Sequence, residues 1–286
     1  MWKLKGDINI LKNIQKINVL HNNKSWVLSV PKILHTFWGS ELLPYLRFMT
    51  IKSFRELNPD WTIVLWYPRH VSGKITWRSG EHDYKLKCRN FLQDLMDLPI
   101  VKMEIDFREL GFPQGTAEVH KADYMRMNSL ALYGGVWTDM DIVYFKPMTD
   151  LEVNTEKYKN ARTFVCKGDY GHSTGLLMAS EDNEFFGKLS DLIAKEFRAS
   201  QYQCIGPTLM NKYYSNPVNA VNLKMDVVYA HDCNHVTELI ENRKPRFTEG
   251  SIGCHWYGGH KQWGQYLNDT NGGLIKKENI ISNCYA

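Results

Sequence analysis

Apolar residues fall into two kinds of run along this chain. Lys32 to Trp38 (KILHTFW) and Trp61 to Trp66 (WTIVLW) are short, nearly continuous apolar runs, which predict buried strands. Between them, Pro44 to Leu57 predicts a helix with Pro in its first turn and Asn58-Pro59 as its stop. Strand, helix, strand in that order predicts a parallel sheet and an α/β fold. Residues 69–115 then read as a helical insertion, with a helix near 82–97 stopped by Pro99. Thr116 to Tyr133 predicts a long helix, capped by Thr116 and ended by Gly134-Gly135. Val136-Trp137-Thr138 follows as a short strand. Further strands are expected over 162–166 and 175–179, and helices over 181–198 and 206–214. Near the start, Ile8, Leu11, Ile14 and Ile17 recur at a spacing of three, so residues 1–28 read as an N-terminal helical segment. Residues 250–286 read as a closing segment, dense in His, Trp and Gly over 252–266. Together these elements predict a single domain over 1–286.

Composition narrows this picture only a little. With 286 residues, 43% hydrophobic and 23% charged, the chain is of ordinary globular type. A formal net charge of +4 gives no footprint for stable nucleic-acid binding. The six cysteines form no CxxC pair, which argues against a zinc or thioredoxin-type site. No run approaches the ~20 apolar residues of a transmembrane helix. A cytoplasmic protein, in a bacterium or a phage- or virus-infected host, is expected; a soluble form of a membrane-anchored enzyme is the alternative. His35, on an apolar strand, is expected to be a core histidine with its hydrogen bonds satisfied.

The chemistry concentrates in residues 117–147 (AEVHKADYMRMNSLALYGGVWTDMDIVYFKP). Asp123 and Arg126 are three apart on a helix and so share a face. The double glycine turns the chain sharply into the strand. Asp139 and Asp141 then fall at the strand's C-terminal end, where ligands bind in open α/β sheets. Carboxylates two apart on an extended segment point to opposite faces, so they meet on one cation only if the strand is ending there or if one acts through water. A hard divalent cation held by one or two carboxylates and completed by substrate phosphates suits this pattern.

These residues resemble the DXD-containing sugar-transferase family, which includes capsular-polysaccharide transferases, initiating mannosyltransferases and, more distantly, the glucosyltransferase domains of clostridial toxins. The resemblance is carried by Val30 to Gly39, by Ser53 to Trp66, by Ala122 to Arg126 with Tyr133-Gly134-Gly135, and by Asp139-Met140-Asp141. Trp137, Thr174 and the Cys254 to Trp263 tail depart from the family's usual pattern. The resemblance implies a GT-A-like α/β fold and a metal-dependent, retaining hexosyltransferase using Mn²⁺ or Mg²⁺. The donor would be a nucleoside-diphosphate sugar, a UDP-sugar in preference to a GDP-sugar. The acceptor hydroxyl stays open among glycan, lipid, protein and modified base. Carried over by position, Trp38 would stack on the base, and Asp123 and Arg126 would contact ribose and donor sugar. Tyr133, Gly135 and Trp137 would line the donor site. Asp139, Asp141 and His255 would hold the metal. Two rival readings are a haloacid-dehalogenase-type phosphotransferase, which Asp139-Met140-Asp141-Ile142-Val143 also fits, and a non-catalytic sugar-nucleotide or glycan-binding protein.

Overall fold

The computed structural model describes residues 29–72, 88–153, 156–169, 171–213, 220–240, 246–260 and 263. In chain order the elements are β1 (Ile33–Phe37), α1 (Tyr45–Leu57), β2 (Thr62–Pro68), α2 (Leu92–Asp97) and β3 (Val101–Ile105). Then come α3 (Glu118–Tyr133), β4 (Gly135–Thr138), β5 (Ile142–Tyr144), β6 (Thr163–Gly168), β7 (Gly171–Ala179) and α4 (Glu184–Glu196). The last are α5 (Pro207–Tyr213), β8 (Ala220–Leu223), α6 (Val236–Ile240) and β9 (Gly253–His255).

Seven strands form one sheet in the order β3-β2-β1-β4-β7-β6-β8, and β5 pairs with β9 in a separate ribbon. β3, β2, β1 and β4 are mutually parallel, β7 runs antiparallel to both β4 and β6, and β8 is parallel to β6. Six strands therefore point one way and β7 points the other. This is the expected α/β architecture with a mostly parallel sheet.

Both faces of the sheet are buried, and the strand period of two divides the apolar residues between them. Ile33, Phe37, Val64, Trp66, Leu177 and Ala179 face one core, shared with α3, α4 and α5. Leu34, Ile63, Leu65, Leu176 and Met178 face the other, shared with Phe48, Ile51 and Phe54 of α1. Such side chains contribute about 1.5–3 kcal/mol each when fully buried.

The double glycine after α3 is required by geometry. Gly134 and Gly135 take φ of +60° and +90°. A Cβ at Gly135 would lie 2.5 Å from the Ile33 carbonyl oxygen, so β4 reaches β1 only because that atom is missing. His35 is the expected core histidine. It accepts from Trp66 Nε1–H at 3.2 Å and donates through Nε2–H to the Gly134 carbonyl at 3.0 Å. Burial pushes its pKa down to about 3, the Gly134 hydrogen bond opposing only in part.

Three expectations need correction. The 69–115 segment is not simply a helical insertion: Val101–Ile105 is the edge strand β3, paired in parallel with β2. The helix expected near 82–97 is α2, only Leu92–Asp97, and residues 82–87 lie outside the described residues. Thr116 does not cap α3. Its hydroxyl donates to the Pro113 carbonyl, and the capping position is Ala117, with no side-chain cap. The N-terminal helix expected within 1–28 and most of the closing segment beyond residue 260 also lie outside the described residues.

Candidate active site

The site follows from the sheet order. β1 connects outward to β2 on one side and pairs with β4 on the other, so the strand order reverses between β1 and β4. In open α/β sheets the carboxyl ends of the strands at such a reversal are where ligands bind. Trp38 follows β1 directly, and Asp139 follows β4 directly. Asp139 is held at the strand end by its own N–H, which donates to the Gly175 carbonyl of β7 at 2.8 Å. The chain then turns through Met140, which is buried in the core beside α1, and β5 begins at Ile142. That turn brings the two carboxylates to one side.

β9 supplies the third group. In the β5–β9 ribbon His255 pairs with Ile142, so its ring arrives beside Asp141. His255 Nε2 lies 3.1 Å from Asp141 Oδ1. The Tyr257 N–H donates to His255 Nδ1 at 3.3 Å, so Nε2 is the ring nitrogen turned toward Asp141. One ligand atom from each of Asp139, Asp141 and His255 falls within 4.8 Å of the others.

Each carboxylate of the pair has its own arginine. Arg126 Nη2 donates to Asp139 Oδ1 at 2.9 Å, lies 3.4 Å from Asp123 Oδ1, and Arg126 Nη1 donates to the Thr174 hydroxyl. Burial alone would lower the Arg126 pKa, but Asp139 and Asp123 outweigh it and raise it. Trp137, fully buried, donates its Nε1–H to the same Asp139 oxygen at 2.8 Å, and its ring lies 5.4 Å from the Arg126 guanidinium. Asp141 Oδ2 accepts the Gly258 N–H at 2.9 Å and sits 3.4 Å from Arg47 Nη1. Burial would raise the Asp141 carboxyl, but the His255 and Arg47 charges and the His255 and Gly258 hydrogen bonds hold it below the usual carboxylate range.

The floor is Gly175. A Cβ there would meet the Tyr229 hydroxyl at 2.8 Å, Asp139 Oδ2 at 3.2 Å and His255 Cδ2 at 3.2 Å. The missing side chain is thus a cradle between two of the three candidate ligands. Two carboxylates and one imidazole around such a space fit a borderline-hard divalent cation. The imidazole suits Mn²⁺ better than Mg²⁺, which keeps to oxygen ligands.

Among the residues singled out in the sequence, Asp123, Arg126, Trp137, Asp139, Asp141 and His255 form one connected network. Trp38 is half-buried beside it, with a buried Nε1–H that has no partner among the described residues and the Arg47 guanidinium 5.7 Å from its ring. Tyr133 and Gly135 do not join it. They lie at the opposite, amino end of β4, where Tyr133 stacks on Trp66 at 6.2 Å and Gly135 packs on Ile33. Their assignment to the donor site is therefore replaced by a role in the core and the turn. Arg47 and Tyr229 carry no motif in the sequence and emerge only from the packing, which also gives Gly175 and Gly258 their places beside Asp139 and Arg47.

Part of the chain is similar to known proteins. Residues 44–159 match the family model described as a glycosyltransferase sugar-binding region containing the DXD motif. A curated relative, Subversion of eukaryotic traffic protein A of Legionella pneumophila, is 20% identical over 177 residues. That match takes in 59% of this chain but 26% of the relative, so the chain spans about a quarter of that protein's length. Among solved structures, the galactosyltransferase LgtC in complex with donor and acceptor sugar analogues gives a TM-score of 0.49 at 12% identity, over 85% of this chain and 96% of that one. The PaToxG glycosyltransferase gives 0.47 at 14%, over 73% and 76%. The glycosyltransferase GlyE of Streptococcus pneumoniae TIGR4 gives 0.47 at 14%, over 88% and 64%. Residues 44–159, which hold Arg47, Asp123, Arg126, Asp139 and Asp141, are thus similar to the sugar-binding region of DXD-containing glycosyltransferases.

Proposed function

We propose that this protein is a metal-dependent, retaining hexosyltransferase that moves a sugar from a nucleoside-diphosphate donor, a UDP-sugar in preference to a GDP-sugar, to an acceptor hydroxyl. The observation that carries this reading is the convergence of Asp139, Asp141 and His255 around the cradle at Gly175, with Arg126 on the adjoining carboxylate. Asp139, Asp141 and His255 would hold the divalent cation, which when bound supplies charge neutralisation to the donor's diphosphate.

In the transfer, the bond from the anomeric carbon to the β-phosphate oxygen breaks. A bond from that carbon to the acceptor oxygen forms on the same face. The acceptor's proton passes to the departing phosphate oxygen, so atoms and charge balance. Among the described residues at the site, Asp123 and Asp139 both lie against Arg126, and Asp141 is held by Arg47, His255 and Gly258. A carboxylate so engaged is a poor nucleophile toward carbon, which supports one same-face displacement over a covalent glycosyl-enzyme. Trp38, at the carboxyl end of β1, offers a ring face to the base. Arg126 holds Asp139 in place beside the cradle. The acceptor remains a hydroxyl on a glycan, lipid, protein or modified base. Among the described residues, no helix is long and apolar enough to cross a membrane.

A thermal-shift panel of UDP- and GDP-sugars with and without Mn²⁺ tests the reading, since a ligand that binds only the folded chain raises its melting temperature. A rise that needs both a donor and Mn²⁺ is expected. No rise with any donor in the presence of Mn²⁺ would overturn it.

A further inference from the structure

The second arginine of the site is held in an unusual way. Arg47, on the first turn of α1, lies over the rings of Trp256 and Trp38, at 4.9 Å and 5.7 Å from their centroids. Gly258 makes room for it: a Cβ there would run into the Arg47 guanidinium. Its Nη1 stands 3.4 Å from Asp141 Oδ2, beyond ordinary hydrogen-bond length for a charged pair. The side chain keeps 20% of its exposure. Among the described residues it donates no hydrogen bond of ordinary length. A guanidinium normally spends its five planar donors on oxygens. Here the guanidinium carbon lies over two indole rings, and the carboxylate beside it stands 3.4 Å away.

Resting on the proposed donor reading, we propose that Arg47 is a phosphate-binding residue, which takes an oxygen of the donor's diphosphate on its free N–H edge while the two tryptophans keep it in place. Charge supports this. The site holds three carboxylates (Asp123, Asp139, Asp141) and two guanidinium groups (Arg126, Arg47). Arg126 is consumed by Asp123, Asp139 and Thr174. Among the described residues, Arg47 is the cation at the site with donors to spare. Stacked on aromatic faces, it is pre-organised, and so loses little rotamer freedom on meeting an anion. As the counter-ion of Asp141 it also opposes a second cation on that carboxylate.

These two relations give effects of opposite sign, and the test uses them. Titrate wild type, Arg47→Gln and Arg47→Lys with Mn²⁺ alone, then with UDP and with UMP in saturating Mn²⁺, by calorimetry, melting temperature serving as the check on folding. In Arg47→Gln, Mn²⁺ alone binds as tightly as in wild type or more tightly. UDP affinity falls by about 10- to 100-fold, the range for a lost charged hydrogen bond, while UMP affinity falls less. Arg47→Lys, which keeps the charge and the stem, falls between the two and gives the answer if the glutamine variant does not fold. If Mn²⁺ and UDP binding weaken together, Arg47 only holds Asp141, and the proposal is overturned. UDP affinity within twofold of wild type in a folded variant overturns it as well. If wild type with Mn²⁺ binds neither UDP nor GDP, the donor reading itself is what fails, and this inference with it.

Discussion

His255 Nε2 lies 3.1 Å from Asp141 Oδ1, although one belongs to the last strand and the other to the turn after β4. The contact depends on the short β5–β9 ribbon, which registers His255 against Ile142. A histidine placed this way gives Asp141 an opposite charge or a hydrogen bond, and gives a cation a nitrogen ligand. The first prediction follows. His255→Ala leaves two carboxylates, so Mn²⁺ affinity falls by at least the roughly 10- to 100-fold seen for changes around metal ligands. Calorimetric titration measures it. An unchanged affinity would remove His255 from the ligand set.

Arg126 joins Asp123, Asp139 and Thr174 from within α3, and its side chain is 5% exposed. Removing it leaves two mostly buried carboxylates without their shared cation. Arg126→Ala is expected to cost about 3–5 kcal/mol, the range for breaking a buried ion pair on one side, with transfer activity lost as well. Arg126→Lys keeps the charge but not the fork, so stability recovers in part and activity does not. Denaturant unfolding and initial rates, measured together, separate the two effects.

Two glycines give contrasting outcomes. At Gly175 the backbone is ordinary, and a Cβ would meet the Tyr229 hydroxyl, Asp139 Oδ2 and His255 Cδ2. Gly175→Ala fills the cradle, so activity falls more than about tenfold, while stability falls by the roughly 1–3 kcal/mol of mild overpacking. At Gly135, φ is +90° and a Cβ would meet the Ile33 carbonyl. Gly135→Ala strains the β1–β4 junction, so stability is the main loss, and surviving folded enzyme keeps its metal affinity. Melting temperature and Mn²⁺ affinity of both variants check this.

His35 gives the chain an acid sensitivity distant from the site's chemistry. Its folded pKa is pushed down to about 3 by burial, against 6.5 for the free side chain. Below pH 6.5 the unfolded chain takes up a proton that the folded chain refuses. Stability from this group is therefore full above pH 6.5 and is lost as pH falls toward 3, by up to about 1.4 kcal/mol per pH unit. His35→Gln keeps a donor for Gly134 and an acceptor for Trp66. It should flatten the fall in unfolding free energy between pH 7 and pH 4.5. An unchanged slope would contradict the assignment.

Much of this was legible in the chain, for identifiable reasons. KILHTFW and WTIVLW are buried on both faces, so they read as continuous apolar runs, and Asn58-Pro59 stops α1 where expected. Asp139 and Asp141 are legible because the glycine turn, the strand and the carboxylates are contiguous. β3 is overlooked inside the supposed insertion even though Val101-Lys102-Met103-Glu104-Ile105 alternates as an edge strand does. Tyr133 and Gly135 are misplaced because closeness in sequence is taken for closeness in space. Strand β4 carries the chain about 3.3 Å per residue away from them before Asp139 is reached. Arg47, Gly175, Tyr229 and Gly258 belong to four separate stretches, and only the sheet order and the β5–β9 register bring them together.

On the proposed reading, Asp139, Asp141 and His255 form one divalent-cation site that serves a nucleotide-sugar. The most direct measurement is a calorimetric titration of Mn²⁺, with UDP present, into wild type and into Asp141→Asn. One Mn²⁺ per wild-type chain is expected, bound more tightly with UDP than without, with that binding lost in Asp141→Asn while the variant stays folded. Wild type that takes up no Mn²⁺, or a folded Asp141→Asn that binds it as wild type does, would contradict the account.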